Sequence, residues 1–442
     1  MKNRIVAPLV IASASIIALA CQPDRATVEP SLGRTLGGHA ASNEASLAEP
    51  QAVVVNPDAH GNGVTATIQE AIERVADGGQ VLVKPGTYPE ALVMSKGLTL
   101  RPIGDDAEPV VIAPPDRPDI AIQVATREPV VIQGVTLLFS GANGIRGDGV
   151  VNVTVERVTA LAVSPLVLSQ QQNVISFSNS ALTSGGRAQV TLRNNVLNGG
   201  VAGDDAGPPS PPFAQVFGIS LRGDVTAEVA GNSIRQMGGA CIIVTTRDDL
   251  NGETNVDIVD NDLDECYPLQ RAGSLLVQPR AGVNGIVRAT GVVNIVGNTI
   301  RNSRGSPLPT TGISQLFAPG RIERNRILGV VQPGAVGIAT RNPAAIWIGT
   351  LSTTALAPNI APIVRLNDIE GNAYAGLRVG PNITTSITAT CNWWGTADGP
   401  SILTATNPQV RDAIVIEAGA AVPSYVPFAA APIASTTALQ CY

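Results

Sequence analysis

The sequence predicts an all-β solenoid: a single stack of short strands, closed at its start by a helix and at its end by a capping segment. Three observations carry this. The first is a recurring formula, apolar-x-apolar-x-x-Asn-x-apolar, seen in VTLRNNVL (190–197), AEVAGNSI (227–234), VDIVDNDL (256–263), VNIVGNTI (293–300), GRIERNRI (320–327) and PIVRLNDI (362–369). VISFSNSA (174–181) fits it loosely, and VTVERVTA (153–160) has Val158 at the Asn position. The second is a glycine-apolar pair, at Gly144-Ile145, Gly218-Ile219, Gly285-Ile286, Gly312-Ile313, Gly337-Ile338 and Gly376-Leu377, which in most units lies 12 to 15 positions before the Asn slot. The third is composition: 45 Gly and 33 Pro in 442 residues, with aromatics only 3%, suit many turns and short strands.

The strands follow from the alternation, which sends one set of side chains inward and the other to solvent. Two short strands in a unit of roughly 22 residues or more cannot bury a face alone, so units must stack. The Asn is placed where the chain leaves one strand and bends into the next. It tolerates left-handed backbone, and its amide can donate to one coil and accept from another. Asn179, Asn195, Asn232, Asn261, Asn298, Asn325 and Asn367 are expected to form such a ladder. ITATCNWW (387–394) is a further copy, with Asn392 on the ladder and Trp394 in the slot held elsewhere by Ile or Leu, where it would plug the core.

At the other end, TIQEAIERVADGG reads as an amphipathic helix. Thr67 and Glu70 form a capping box, Ile68, Ala71, Ile72 and Val75 share a face, and Gly78-Gly79 stops it. A solenoid must cover its first coil, and this helix suits that role.

Before the stack, Lys2 and Arg4 precede an apolar run from Ile5 to Leu19, the pattern of an export signal over residues 1–20. Ala18-Leu19-Ala20 offers an ordinary cleavage site, whereas LAC resembles a bacterial lipobox that would acylate Cys21. Residues 21–50, rich in Ala, Ser, Gly and Pro without apolar period, read as a flexible tether. The stack itself is assigned to 51–400, and the cap and tail to 401–442.

TIQEAIERVADGGQVLVKPGTYPEALVMSKGLTLRP (67–102), CNWWGTADGP (391–400) and VPSYVPF (422–428) resemble the opening and closing segments of the pectin-lyase-like superfamily. That resemblance implies a right-handed parallel β-helix of about a dozen coils. It is specific for fold, since the superfamily hosts lyases, hydrolases, esterases, epimerases and non-catalytic surface proteins.

The catalytic motifs of its pectin methylesterases (Q-D-T, L-G-R-P-W) and polygalacturonases (N-T-D, R-I-K) do not occur in this sequence. The sole His-Gly, His60-Gly61, precedes the helix, and with 2 histidines in the chain a histidine mechanism or zinc site is disfavoured. A calcium-dependent polysaccharide lyase would need clustered carboxylates and a basic residue. The densest acidic stretch supplies Asp248, Asp249, Glu253, Asp257, Asp260 and Asp262, of which Asp248, Asp249, Glu253 and Asp257 are the candidate Ca²⁺ ligands. Arg222, Arg235 or Arg247 from nearby coils would serve as base or substrate clamp. The bland reading is a solvated acidic turn.

Segments 198–217, 264–284, 245–255 and 341–362 read as loops walling a groove, with Trp347 as a stacking residue or a hydrophobe packed back on the coil. Arg146-Gly147-Asp148 and Arg222-Gly223-Asp224 look like adhesion tripeptides, though turns favour the same residues. Removing Cys21 leaves an even set in an oxidising compartment. Cys391 with Cys441 would pin the tail, and Cys241 with Cys266 would join coils unless Cys241, read in the inward Ile slot, stays a buried thiol.

A formal charge of −6 disfavours nucleic acid. Two functions therefore stand: an exported module, lipid-anchored or secreted, that binds extracellular polysaccharide and meets the membrane only through such an anchor, and a carbohydrate-active enzyme, either a lyase with Ca²⁺ as its one cofactor or a glycoside hydrolase. A purely structural or adhesive surface role stands beside them.

Overall fold

A computed structural model describes residues 49–58, 63–104, 108–149, 151–163, 171–179, 185–200, 215–247, 253–266, 273–280, 291–303, 311–316, 319–330, 344–349, 362–372, 375–381, 383–404, 412–433 and 441. They build a parallel β-helix of three sheets, holding 12, 10 and 12 strands. Sheet 1 runs from Ala52–Val55 and Val64–Thr65 to Ile363–Arg365, sheet 2 from Gly86–Tyr88 to Asp368–Glu370, and sheet 3 from Leu92–Met94 to Ile414–Ile416, with Ile402–Leu403 at its edge. Each coil visits the sheets in that order, as in Val225–Ala230, Ser233–Met237 and Ile242–Arg247, and each strand pairs in parallel register with its equivalent one coil on.

A coil thus has three strands where the sequence suggested two. The unseen one is the sheet 2 strand just after the Asn turn, too short at Val196–Asn198 or Thr299–Arg301 to show a period. Three strands enclose a prism whose interior is filled by stacked apolar columns. In sheet 1 the column Leu100, Ile132, Val155, Leu192, Val229, Ile258, Ile295, Ile322, Val364 has no solvent exposure. Each such side chain contributes about 1.5–3 kcal/mol of transfer free energy, so the stack is a stiff scaffold.

Asn195, Asn232, Asn261, Asn298, Asn325, Asn367 and Asn392 form one hydrogen-bonded file. Each amide Nδ2 donates to the next coil's Oδ1 at 2.8–3.0 Å, from Asn195 through Asn367. The same Oδ1 also accepts the preceding Asn's main-chain N–H, as Asn261 does from Asn232 at 2.9 Å. The other amide proton goes to a sheet 1 carbonyl one coil back, for example Asn261 to Val229 at 2.9 Å. The file begins where Val158 donates only its main-chain N–H to Asn195.

Asn179 is not part of it. It ends the sheet 3 strand Gln171–Asn179 and donates to the carbonyls of Gly186 and Asp224. Its apolar-x-apolar lead-in is shared by strands of sheets 1 and 3, which is why the formula could not separate them. Nor does the Asn itself take the left-handed backbone. The residue before it does: Arg157, Asn194, Asp260, Arg324, Leu366 and Cys391 have φ of 53–59°, with Gly231 and Gly297 at 64° and 71°. The turn therefore needs one left-handed residue, and the Asn closes it with its side chain.

The glycine of the Gly-Ile pair has a different cause. A Cβ on Gly144, Gly218 or Gly312 would lie 2.4–2.7 Å from the carbonyl oxygen of Val174, Cys241 or Ala345 in the next coil. Cys241 stands at this glycine position, while Ile242 takes the inward slot opposite Ile219, so the expected placement of Cys241 is off by one. Cys241 and Cys266 are bonded with Cα atoms 5.6 Å apart, as are Cys391 and Cys441 with Cα atoms 5.3 Å apart.

The helix Ile68–Arg74 buries Ile68, Ala71 and Ile72. Thr67 Oγ1 accepts from Glu70 N–H at 3.2 Å, but Glu70 turns to Arg74 instead of completing the box. Its place is taken by Glu90, whose carboxylate accepts from the N–H groups of Ile68 and Gln69 at 2.8 and 2.9 Å. The helix stops at Arg74, before the glycines, where Lys96 Nζ binds the Val75 carbonyl at 2.8 Å. Gln69 Oε1 accepts from Val93 N–H, covering the edge of sheet 3.

At the far end, Trp393 bridges to Asp368 and Trp394 follows Ile369 in the sheet 2 column at 1% exposure. Trp393, 9% exposed, donates its indole N–H to Glu370 at 3.0 Å. Tail residues then add a layer: Ser424 pairs with Thr388, Pro427 O accepts from Cys391 N–H, and Ala429 N–H donates to Asn392 O.

Candidate functional site

The acidic stretch does not assemble into a site. Glu253 is an exposed partner of Arg187 at 3.1 Å. Asp257 stands on the outer face of sheet 1 and accepts from Asn294 at 2.8 Å. Asp260 occupies the left-handed turn, and Asp262 faces out from sheet 2 against Arg301 at 2.7 Å. Alternation and the turn thus aim these carboxylates in three directions. Arg222 lies on sheet 3, Arg235 on sheet 2, and Arg247 ends a sheet 3 strand opposite Arg280. Among the described residues no group of three His, Cys, Asp or Glu is placed to hold a metal ion. Asp248, Asp249 and the side chain of Arg247 lie outside the described residues, as do Cys21, His60, Gly285-Ile286 and Gly337-Ile338.

All four expected loops contain strand residues, 198–217 taking in the start of Gln215–Gly223. Segment 264–284 holds Gly273–Arg280 of sheet 3, 341–362 holds Ala344–Gly349, and 245–255 holds the end of one strand and the start of another. Trp347 is accordingly a sheet 3 residue, in register between Ser314 and Arg378 on the outer face.

That outer face changes character along the stack. In the early coils it is open and polar: Val93 is 41% exposed, Gln123 is exposed, and Arg146 and Asp148 have side chains 40% and 51% exposed. Further on, outward residues are shut off from solvent, with Ser220 and Ser314 at 0%, Ile243 at 4%, Arg378 at 6% and Trp347 at 7%. Arg378 there binds Glu417 at 2.6 Å.

Where open face meets closed face, parallel register lines up Asp148, Ser178, Arg222 and Thr245 in adjacent coils. Asp148 Oδ2 takes the Arg146 guanidinium at 2.7 Å, and Ser178 donates to Asp148 Oδ1. A carboxylate, a hydroxyl and two guanidinium groups thus share one ledge on rigid strands, a donor and acceptor set suited to sugar hydroxyls. The tripeptide Arg146-Gly147-Asp148 is closed on itself by that ion pair, while Asp224 is held by Arg187 at 2.8 Å. Neither presents the extended Arg and Asp of an adhesion loop.

The signal for this ledge was present in the sequence as RGD and SFS. It became readable only with the register between coils. A smaller Asn pair was also missed: Asn173 Nδ2 donates to Asn143 Oδ1 at 3.1 Å at the entry to sheet 3.

No family model and no curated protein matches the chain. Among solved structures it is similar to the Dettilon tailspike protein (13% identity, TM-score 0.37), covering 82% of this chain and 68% of that one. It is also similar to the catalytic domain of a GH87 α-1,3-glucanase in complex with nigerose (11%, 0.46), covering 85% and 66%. A third is the mannuronan C-5 epimerase AlgE4 A-module of Azotobacter vinelandii (14%, 0.39), covering 82% and 92%. At these values the likeness carries nothing about activity.

Proposed function

We propose that the chain is an exported β-helix protein, lipid-anchored at Cys21, that binds an extracellular polysaccharide along the open part of sheet 3. The ledge Asp148–Ser178–Arg222, with Arg146, carries this reading. Its groups are spaced by the strand separation, about 4.8 Å per coil, so an extended polymer lying along the axis meets hydrogen-bonding groups on consecutive coils. The rigid core beneath lowers the ordering cost of binding. The export-signal pattern of residues 1–20 and the tether-like composition of 21–50 support a surface location.

Binding is tested on the intact mature protein against a panel of acidic and neutral polysaccharides, by affinity electrophoresis or calorimetry. Asp148→Ala and Arg222→Gln are each expected to weaken the best ligand about tenfold, the size of a lost charge-assisted hydrogen bond. Asp257→Ala on sheet 1 is expected to leave it unchanged. No binding across the panel overturns the function, and binding indifferent to Asp148 and Arg222 overturns the site. Unsaturated products appearing in the same mixtures with calcium would replace binding by lyase chemistry. Anchoring is tested separately: Cys21→Ser should move the protein from the membrane to the soluble fraction.

A further inference from the structure

At the corner between sheets 1 and 2, away from sheet 3, one turn differs from those that follow. In later coils this corner is tight: Pro129–Gln133 leads to Thr136–Phe139, and Asn152–Glu156 to Thr159–Ala162. In the coil of Leu98–Pro102 the next strand begins only at Val110. Between the ends 101–104 and 108–110 and the tight turns at Gly134 and Arg157 lies a recess of about 410 Å³.

Arg101, Gln133 and Arg157 supply its polar lining, Pro102, Pro109 and Gly134 much of the rest, and Glu108 its single described carboxylate. Gly134 lines the recess by its backbone: φ is 67°, and a Cβ there would come 3.3 Å from Pro102.

The charge state of the arginines distinguishes this recess. Many other arginines sit on carboxylates, as Arg193 does on Glu228, Arg301 on Asp262 and Asp264, and Arg365 on Glu323, while Arg235 binds only the Ser233 hydroxyl. Arg101 instead binds the Gln80 amide oxygen, through Nε at 3.3 Å and Nη2 at 3.1 Å. That contact orients the guanidinium without neutralising it. Arg157 has no ion-pair partner among the described residues and is exposed. Two guanidinium groups without a direct carboxylate partner among the described residues therefore line one concavity in a chain whose net charge is −6.

We infer that this recess is an oxyanion-binding site, distinct from the sheet 3 ledge, taking a carboxylate, sulfate or phosphate group that is either free or carried on a sugar. Guanidinium forks match the planar or tetrahedral oxygens of such groups, and Gln133 adds an amide donor. The proline and glycine surfaces leave room for a ring beside the anion.

Calorimetric titration of the full chain uses D-glucuronate, glucose 6-phosphate, inorganic sulfate and D-glucose, with calcium alone as a further arm because Asp105 and Asp106 lie between Gly104 and Glu108 in sequence. Binding by the anionic probes and none by glucose is expected. Arg101→Gln and Arg157→Gln should each weaken it about tenfold, and Glu108→Gln should strengthen it. The ratio of sulfate to glucuronate affinity separates a free anion from a sugar acid, and either result supports the site. Both arginines are exposed, so unchanged melting temperatures are expected for their variants. Equal binding of glucose, indifference to Arg157→Gln with the fold intact, or heat from calcium and none from the anions would overturn the inference.

Discussion

Replacing Asn261 by alanine isolates what the amide file contributes. Asn261 is 1% exposed and makes four side-chain hydrogen bonds: Oδ1 accepts from Asn232 N at 2.9 Å and Asn232 Nδ2 at 2.8 Å, and Nδ2 donates to Val229 O and Asn298 Oδ1, both at 2.9 Å. Alanine leaves the Asn232 main-chain N–H and one Asn232 amide proton without acceptors in a place water does not reach. Asn298 Oδ1 keeps the main-chain N–H of residue 261, at 3.0 Å in the native chain, so its loss is partial. Two orphaned buried donors at roughly 1–3 kcal/mol each, with the weakened acceptors, give about 3–5 kcal/mol.

The comparison is Asn294→Ala. Asn294 also bridges coils, donating to Asp257 and accepting from Arg321 N–H, but on the exposed face of sheet 1. Its loss is expected to stay within about 0.5 kcal/mol, the usual range for surface changes. Urea unfolding of both variants, read as the midpoint at constant slope, gives the two values. Equal destabilisation would refute the idea that the buried file contributes more than inter-coil bonds on the exposed face.

Two further outcomes follow from the same corner geometry. Leu366 holds φ of 59°, which costs a non-glycine residue roughly 1–2 kcal/mol, less the roughly 0.4–1 kcal/mol that glycine gives back through unfolded-chain entropy. Leu366→Gly should therefore raise the urea midpoint slightly, and a lowered midpoint would show that its side chain packs enough to offset the strain. Burial raises the Asp412 carboxyl above 3.8, helped by the charge of Glu370 and opposed by hydrogen bonds from Asn372 and Gly371. A raised folded value means its stabilising share is complete below about pH 3.8 and lost as pH rises through the folded value. Wild type should thus lose stability relative to Asp412→Asn between pH 3.8 and neutrality, seen as melting temperature against pH. A constant difference would refute it.

The ladder was legible from sequence because each rung is a local event: an apolar alternation, a tight turn and an Asn within a few residues. Trp394 was legible for the same reason, since it occupies the slot of Ile327 and Ile369. Asn179 was misplaced because the pattern before it is common to strands facing different sheets. The residue at the left-handed turn position escaped notice because its identity varies from Gly to Leu and Arg. It is specified by backbone geometry and the neighbouring Asn, with no side-chain preference of its own to read. Helix termination misled similarly: Glu90 and Lys96, far along the chain, supply the caps that the local residues only partly provide.

The sequence alone determined that coils repeat and, apart from Asn179 and Cys241, which side chains fill the core and which amides join successive rungs, because those choices rest on periodicity within one strand and its turn. Tertiary structure decided everything that depends on direction around the axis: the third sheet, the scattering of the acidic stretch over different faces, the burial of Trp347, and the meeting of Asp148, Ser178 and Arg222. Turn lengths vary from coil to coil, so residues that become neighbours in register keep no fixed spacing along the chain.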